Sequence, residues 1–188
     1  MPPKAKFTKE QVVHAAMALI REGSPVTARE LGAKLGSSAR PIFTLFESME
    51  EVVQETRRAV RDLYNGYIDE GLKEPIAFKG VGRAYIRFAV EQPQFFRMLF
   101  TERHAVGFQS VLSELDEKYA EILSSVTNRY GVDQKTANAL YRHLWVYTHG
   151  IASLCASGTC AFTEAQTDGM LTDIFVALLA QANRGELK

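Results

Sequence analysis

The sequence predicts an all-α fold on three observations. Apolar residues recur at spacings of three and four along almost the whole chain, and no comparable stretch alternates with period two. Helix start and stop signals fall between these periodic segments. With 188 residues, 46% of them hydrophobic, the chain is long enough for one ordinary domain or a small one joined to a medium one.

Thr8 and Gln11 make the first capping box, in which a hydroxyl and a Gln or Glu three residues on satisfy free amides. Val12, Ala16, Leu19 and Ile20 then mark one face of a helix over 8–22, stopped by Gly23-Ser24-Pro25. A second box, Thr27–Glu30, opens a helix over 27–34. Leu35-Gly36-Ser37 follows as a turn whose glycine supplies a positive φ. A third short helix is expected over 38–45, with Ser38 as its cap and Pro41 in its first turn. Ser48–Glu51 opens a longer helix over 48–71 with Val53, Thr56, Val60, Leu63 and Tyr67 on its apolar face. Gln92-Pro93 divides the next periodic stretch into helices over 77–91 and 93–101. Phe108, Leu112, Leu115, Tyr119, Ile122 and Val126 mark a helix over 105–130, which Gly131-Val132-Asp133 separates from one over 134–156. That helix carries Leu140, Leu144, Tyr147, Ile151 and Leu154 and ends at Ser157-Gly158-Thr159. Thr163–Gln166 opens the last helix, over 163–183, on which Leu171, Ile174, Phe175 and Leu178 recur. About nine helices result, the first three forming a helix-turn-helix head and the rest a larger helical body.

Charge divides the chain in the same way. The 22 basic and 22 acidic residues cancel overall, but residues 1–46 carry Lys4, Lys6, Lys9, Arg21, Arg29, Lys34 and Arg40 against Glu10, Glu22 and Glu30, a net +4. The remainder is −4. A positive head on a negative body suits a polyanionic partner, although solvated surface charge would look the same. No run of about 18 apolar residues occurs, so no spanning helix is expected. The segment Met1–Lys6 has no apolar h-region, and two cysteines cannot staple a scaffold. These features lead to the expectation of a soluble cytoplasmic protein with no membrane partner.

Ile42 and Phe46 are four apart and can pack back on Leu31 and Leu35, which leaves Ala39, Arg40, Phe43 and Thr44 facing outward. A recognition helix sets such residues against base edges in the major groove, where Arg40 can reach guanine O6 and N7. Thr27 and Ser38 stand at helix starts suited to phosphate oxygens. A plain helical corner with a solvated arginine is the competing reading.

Residues 8–52 resemble the TetR-type DNA-binding domain. The resemblance is carried by Ala15-Ala16-Met17-Ala18-Leu19-Ile20 with Gly23, then Thr27-Ala28-Arg29-Glu30-Leu31-Gly32, then Leu35-Gly36-Ser37-Ser38. It continues through Ile42-Phe43-Thr44-Leu45-Phe46 and Ser48-Met49-Glu50-Glu51-Val52. It implies a DNA-binding domain over 5–66 and an effector-binding and dimerisation domain over 67–188. Operator contacts would come from Ala28, Arg29, Ala39, Arg40, Pro41, Phe43 and Thr44, with Thr27 and Ser38 holding phosphates. Two departures from the family pattern matter. Phe43 stands where a tyrosine is usual and Met49 where a lysine is usual, so two phosphate donors are missing. Arg40 stands where glycine is most frequent, and a base-reading arginine there would add about 1–3 kcal/mol of discrimination.

The resemblance further implies that the body dimerises through the helices over 134–156 and 163–183 and holds a small effector. Ala137, Ala139, Ala152, Ala156, Ala177 and Ala180 would permit close approach of two copies. Trp145-Val146-Tyr147-Thr148-His149-Gly150 is similar to the Trp-x-x-x-His-Gly signature of one C-terminal subclass. Gln92 through Phe100 is similar to that subclass's proline-led aromatic helix. Aromatic residues and methionines crowd the body, so an effector pocket is expected from Tyr85, Phe88, Phe95, Met98, Trp145 and His149, with Phe96, Phe100 and Tyr147 nearby. The same residue types at helical spacing also build ordinary cores.

The effector is expected to be apolar or amphipathic, and the protein to be a repressor released by it. A helical sensor that keeps the head but no longer reads DNA is the alternative. No enzyme is expected: His14, His104, His143 and His149 are scattered, and no Cys-x-x-Cys, His-Glu-x-x-His or Gly-x-Ser-x-Gly run occurs. No cofactor or metal is expected either. Cys155 and Cys160 read as two small side chains in a reducing compartment, with a reversible disulfide as the other possibility.

Overall fold

Eight α-helices and one 3-10 turn, with no strand, make up the described residues of the computed structural model, 7–101 and 117–187. The helices are α1 (Lys9–Arg21), α2 (Ala28–Lys34), α3 (Met49–Leu72), α4 (Ala77–Glu91), α5 (Pro93–Phe100), α6 (Tyr119–Tyr130), α7 (Gln134–Ala156) and α8 (Glu164–Asn183). Phe108, Leu112 and Leu115, expected to begin a helix before α6, lie outside the described residues, as do Lys4 and Lys6.

The helix boundaries follow the caps. Thr8 and Thr163 form complete reciprocal boxes with Gln11 and Gln166. Thr27 and Ser48 accept from the amides of Glu30 and Glu51. The Glu51 carboxylate does not return to Ser48; it accepts from the Glu47 amide one residue earlier. Asp133 caps α7 by accepting from the Thr136 amide at 2.7 Å. The α1, α2 and α7 ends share one motif, in which the amide two residues past the cap returns to a carbonyl five residues back. At α2 these bonds are Ser37 N–H to Gly32 and Gly36 N–H to Ala33, with Gly36 at φ +62°.

The expected third helix over 38–45 is instead a single 3-10 turn, Ile42–Thr44. Pro41 disfavours helical backbone at Arg40, so a helix cannot start at Ser38. The Ser48 cap of α3 then leaves only four residues between Pro41 and Phe46, too few for more than the one i→i−4 bond, Phe46 N–H to the Ile42 carbonyl at 3.0 Å. The segment closes with three-residue bonds from Ile42 to Ala39, Thr44 to Pro41 and Leu45 to Ile42. Ser38 caps nothing and is exposed. Ile42 and Phe46 are still buried, in one core with Leu31, Val12 and Ala16.

The α3 helix runs unbroken from this head into the body, across the expected boundary between residues 66 and 67. Its buried seam is Val52, Thr56, Val60, Tyr64 and Ile68, spaced by four throughout. Val53, Leu63 and Tyr67, expected on its apolar face, lie on its half-buried flank. Helix α4 is the hub of the body and packs on α3, α5, α6, α7 and α8. It crosses α3 with almost no separation at Gly71 and Gly80. A Cβ on Gly71 would lie 2.6 Å from the Gly80 carbonyl oxygen, so neither position has room for a side chain.

Helix α5, started by Pro93, buries Phe95, Phe96, Met98 and Leu99 and bridges head and body. Arg21 of α1 donates to the Gln92 side chain at 3.1 Å and lies over the Phe95 ring. Arg57 of α3 donates to the Met98 carbonyl at 2.6 Å. Helices α7 and α8 pair on the far side. Val146 and Leu154 of α7 and Val176 of α8 remain 51%, 40% and 58% exposed. Ala177 and Ala180 are also exposed, whereas Ala137, Ala152 and Ala156 are buried within the chain and unavailable to a second copy. Among the described residues, no helix is long and apolar enough to cross a membrane.

Candidate nucleic-acid interface and ligand cavity

The head presents its expected contact residues on α2 and on the segment after the Gly36 turn. Thr27, Arg29, Ser38, Arg40, Phe43 and Thr44 are exposed, and Ala28, Ala39 and Pro41 are half-buried. Two hydroxyls are already engaged: Thr27 accepts from the Glu30 amide, and Thr44 donates to the Pro41 carbonyl at 2.6 Å. The Phe43 ring is 48% exposed on an otherwise polar surface.

Most head cations are also engaged. Lys9 pairs with Glu51 at 2.7 Å, and that hydrogen bond holds its ammonium above the ordinary lysine value. Lys34 pairs with Glu22, and Arg21 is committed to Gln92 and Phe95. Arg29 and Arg40 are the exceptions: among the described residues neither has an ion pair or hydrogen bond, and both side chains face solvent.

A cavity of about 330 Å³ lies in the body where α3, α4, α6, α7 and α8 converge. Its wall is largely aromatic: Tyr64, Phe78, Tyr85, Tyr130, Tyr141, Trp145 and Phe175, with Leu144, Leu171 and Leu179 between them. Of the expected pocket residues only Tyr85 and Trp145 line it. Phe88, Phe95 and Met98 are core side chains, at 0%, 0% and 6% exposure. Their helix faces turn toward α1, α3 and α5 packing instead of toward the void. Met98 borders a separate space of about 370 Å³ between head and body, beside Gly23, Thr56 and Gln94.

His149 stands just behind the cavity wall. Its Nδ1 and the Tyr85 hydroxyl are hydrogen-bonded at 2.9 Å. Its ring stacks on Trp145 with centroids 5.0 Å apart and planes 10° apart, and the Phe96 ring lies 5.6 Å away on α5. Burial lowers its pKa below the ordinary 6.5, so the folded chain favours a neutral imidazole. The unfolded chain takes up the proton first as pH falls, so the stability from this site is present above pH 6.5 and is lost below it. The melting temperature of the wild type is therefore expected to drop more between pH 7.5 and 5.5 than that of His149→Gln. Equal drops would remove His149 as a source of the dependence.

Residues the sequence reading passed over complete the cavity. Phe78, Tyr130 and Phe175 meet at its outer end, with Phe175 5.6 Å from Phe78 and 4.8 Å from Tyr130. At the rim, Arg83 donates to both carboxylate oxygens of Asp168, and to Glu74 at 2.8 Å. Lys79, one turn before Arg83, reaches the same Asp168 at 3.1 Å. This cluster ties α4 to α8. Asp168 holds the Arg83 guanidinium above its ordinary value, and Arg83 holds the Asp168 carboxyl below its own. The spacing of Lys79 and Arg83 by four was readable, but their partner is 85 residues beyond Arg83. Cys155 is half-buried and Cys160 exposed, both as free thiols, and burial pushes the Cys155 thiol up. Among the described residues, no three His, Cys, Asp or Glu side chains gather as metal ligands would.

Comparison with known proteins agrees with this architecture. No curated protein matches the chain. A solved structure from Mesorhizobium loti, assigned to the TetR family of transcriptional regulators, superposes with a TM-score of 0.52 at 17% identity. The match covers 92% of this chain and 95% of that one, and shows a common fold. Residues 78–181, more than half of the chain and all of the cavity wall except Tyr64 and Ile76, match the family described as tetracyclin repressor-like, C-terminal domain. The chain belongs to the tetracyclin repressor-like family.

Proposed function

We propose that the protein is a homodimeric transcriptional repressor that binds double-stranded operator DNA through its head and is released by a small apolar or amphipathic effector in the body cavity. The observation that carries this reading is the state of the head cations. Every other described cation of the head is engaged within the chain, whereas Arg29 and Arg40 stand exposed and uncommitted on either side of the Gly36 turn. Arginine in that state is suited to phosphate and guanine recognition.

One short reading element gives little contact, so two copies are needed, with half-sites about 34–36 Å apart. The exposed Val146, Leu154 and Val176, together with Ala177 and Ala180, support α7 and α8 as the pairing surface. The unbroken α3 helix supports coupling, because Val52 lies in the head core and Tyr64 in the cavity wall. An effector releases DNA only by binding the non-fitting state more tightly, by roughly 5.5 kcal/mol for a complete shift.

The test is fluorescence anisotropy with DNA from upstream of the protein's own gene against scrambled DNA, at low and near-physiological salt. A preference that survives the higher salt is expected. Arg40→Ala should reduce that preference by about 5- to 150-fold, corresponding to about 1–3 kcal/mol, while leaving the dimer intact. Equal, salt-abolished binding to both DNAs would leave only the electrostatic term. It would favour the second reading, a helical ligand sensor without operator recognition, which draws support from the single 3-10 turn and the exposed Phe43 in the reading segment.

A further inference from the structure

We propose that the cavity takes an amphipathic organic anion, an aryl or arylalkyl carboxylate, with Lys79 as its counter-ion and the aromatic wall around its apolar end. The proposal rests on the reading of this cavity as the effector site. Lys79 is the one charged side chain among the described residues that line the cavity, and its side chain is only 24% exposed. A ligand that fills the space covers the ammonium and strips its remaining water.

An ammonium has three donors, and the contact to Asp168 at 3.1 Å occupies one. Asp168 can offer little more, because both of its oxygens already accept from Arg83. A neutral ligand would therefore leave buried donors unmet, which is costly for a charged group. A cationic ligand would find no carboxylate in the wall, since Asp168 and Glu74 stand outside it and are held by Arg83. A carboxylate supplies the acceptors that Lys79 lacks. Behind it, Tyr85, Trp145, Phe78 and Phe175 offer ring edges and faces for an aryl group, and about 330 Å³ suits a ligand of small-molecule size.

Trp145 is the only tryptophan of the chain and lies in the cavity wall, so its fluorescence reports occupancy directly. The probes are 4-phenylbutyrate, 4-phenylbutyramide and 4-phenylbutylammonium, which share a body and differ in charge. The carboxylate is expected to bind about tenfold or more tighter than the amide, with the ammonium weakest. Lys79→Met should bring carboxylate and amide within about twofold, by weakening the carboxylate and relieving the penalty on the amide, and Lys79→Arg should keep the preference. Amide binding as tight as carboxylate, or a preference that survives Lys79→Met, would overturn the charge assignment and leave the cavity as an effector site. Failure of every probe to change Trp145 emission or raise the melting temperature would overturn the effector site itself, and the proposal with it.

Discussion

Tyr64→Ala is expected to destabilise the protein by about 3–5 kcal/mol, against a total stability of about 5–15 kcal/mol for a folded domain. Tyr64 is 1% exposed in the α3 seam, between Val60 and Ile68. It meets the edges or faces of Phe100, Phe88 and Tyr85 at centroid distances of 5.1, 5.4 and 6.0 Å. Each such pair adds roughly 0.5–1.5 kcal/mol beyond area burial. The cost of a large-to-small change grows with the void that survives relaxation. Here the neighbours cannot close the gap, because Tyr64 already borders the cavity and the new void would merge with it. At this chain length the melting temperature should fall by about 6 °C to 20 °C, measured at matched protein concentration. Tyr64→Phe keeps the ring and should cost only about 1 kcal/mol. A loss below about 1 kcal/mol for the alanine variant would show that the aromatic cluster is not the centre of the body's stability.

Local chemistry explains why so much of the fold was legible. A hydroxyl with Gln or Glu three residues on, a glycine past a helix end and a proline at a helix break act within a few residues, and they mark the ends of α1, α2 and α8, the start of α3 and the break between α4 and α5 to within a residue. The third helix was misread because its two limits act together. Pro41 and the Ser48 cap are each compatible with a helix between them, but jointly they leave space for one turn. The cavity was legible only in part for a different reason. Phe88 and Phe175 are the same residue type on amphipathic helices, yet one is fully buried in the α3–α4 interface and the other borders a void. Which face meets a void depends on five helices distant in sequence. The Arg83–Asp168 contact was hidden likewise, since nothing near Arg83 specifies a carboxylate on α8.

Gly32→Ala is expected to damage operator recognition far more than stability. Gly32 is the one residue of α2 without a Cβ, and the space beside it is closed. A Cβ on Gly32 would lie 2.9 Å from the Ser37 carbonyl oxygen, 3.0 Å from the Ser38 carbonyl carbon and 3.1 Å from the Ala39 nitrogen. All three are backbone atoms, so no flexible side chain can move aside. The same glycine accepts the Ser37 amide at 2.8 Å, which fixes where the chain leaves α2. Segment 37–39 must then shift by a few tenths of an ångström or more, and it carries Arg40, Phe43 and Thr44 with it. The alanine gains about 1 kcal/mol of helix propensity, while the overpacking costs about 1–3 kcal/mol, so net stability changes little. If Arg40 reads guanine as proposed, its displacement removes that contact, and the preference for specific over scrambled DNA should fall by tenfold or more, in keeping with a contact worth about 1–3 kcal/mol. Gly66→Ala is the matched control: it adds a methyl to an exposed helical glycine with no atom within 4 Å, and should raise stability slightly without touching DNA preference. If Gly32→Ala binds operator DNA as the wild type does while remaining folded, the segment after the Gly36 turn is not the reading element, and recognition must rest on Arg29 and the first turn of α2.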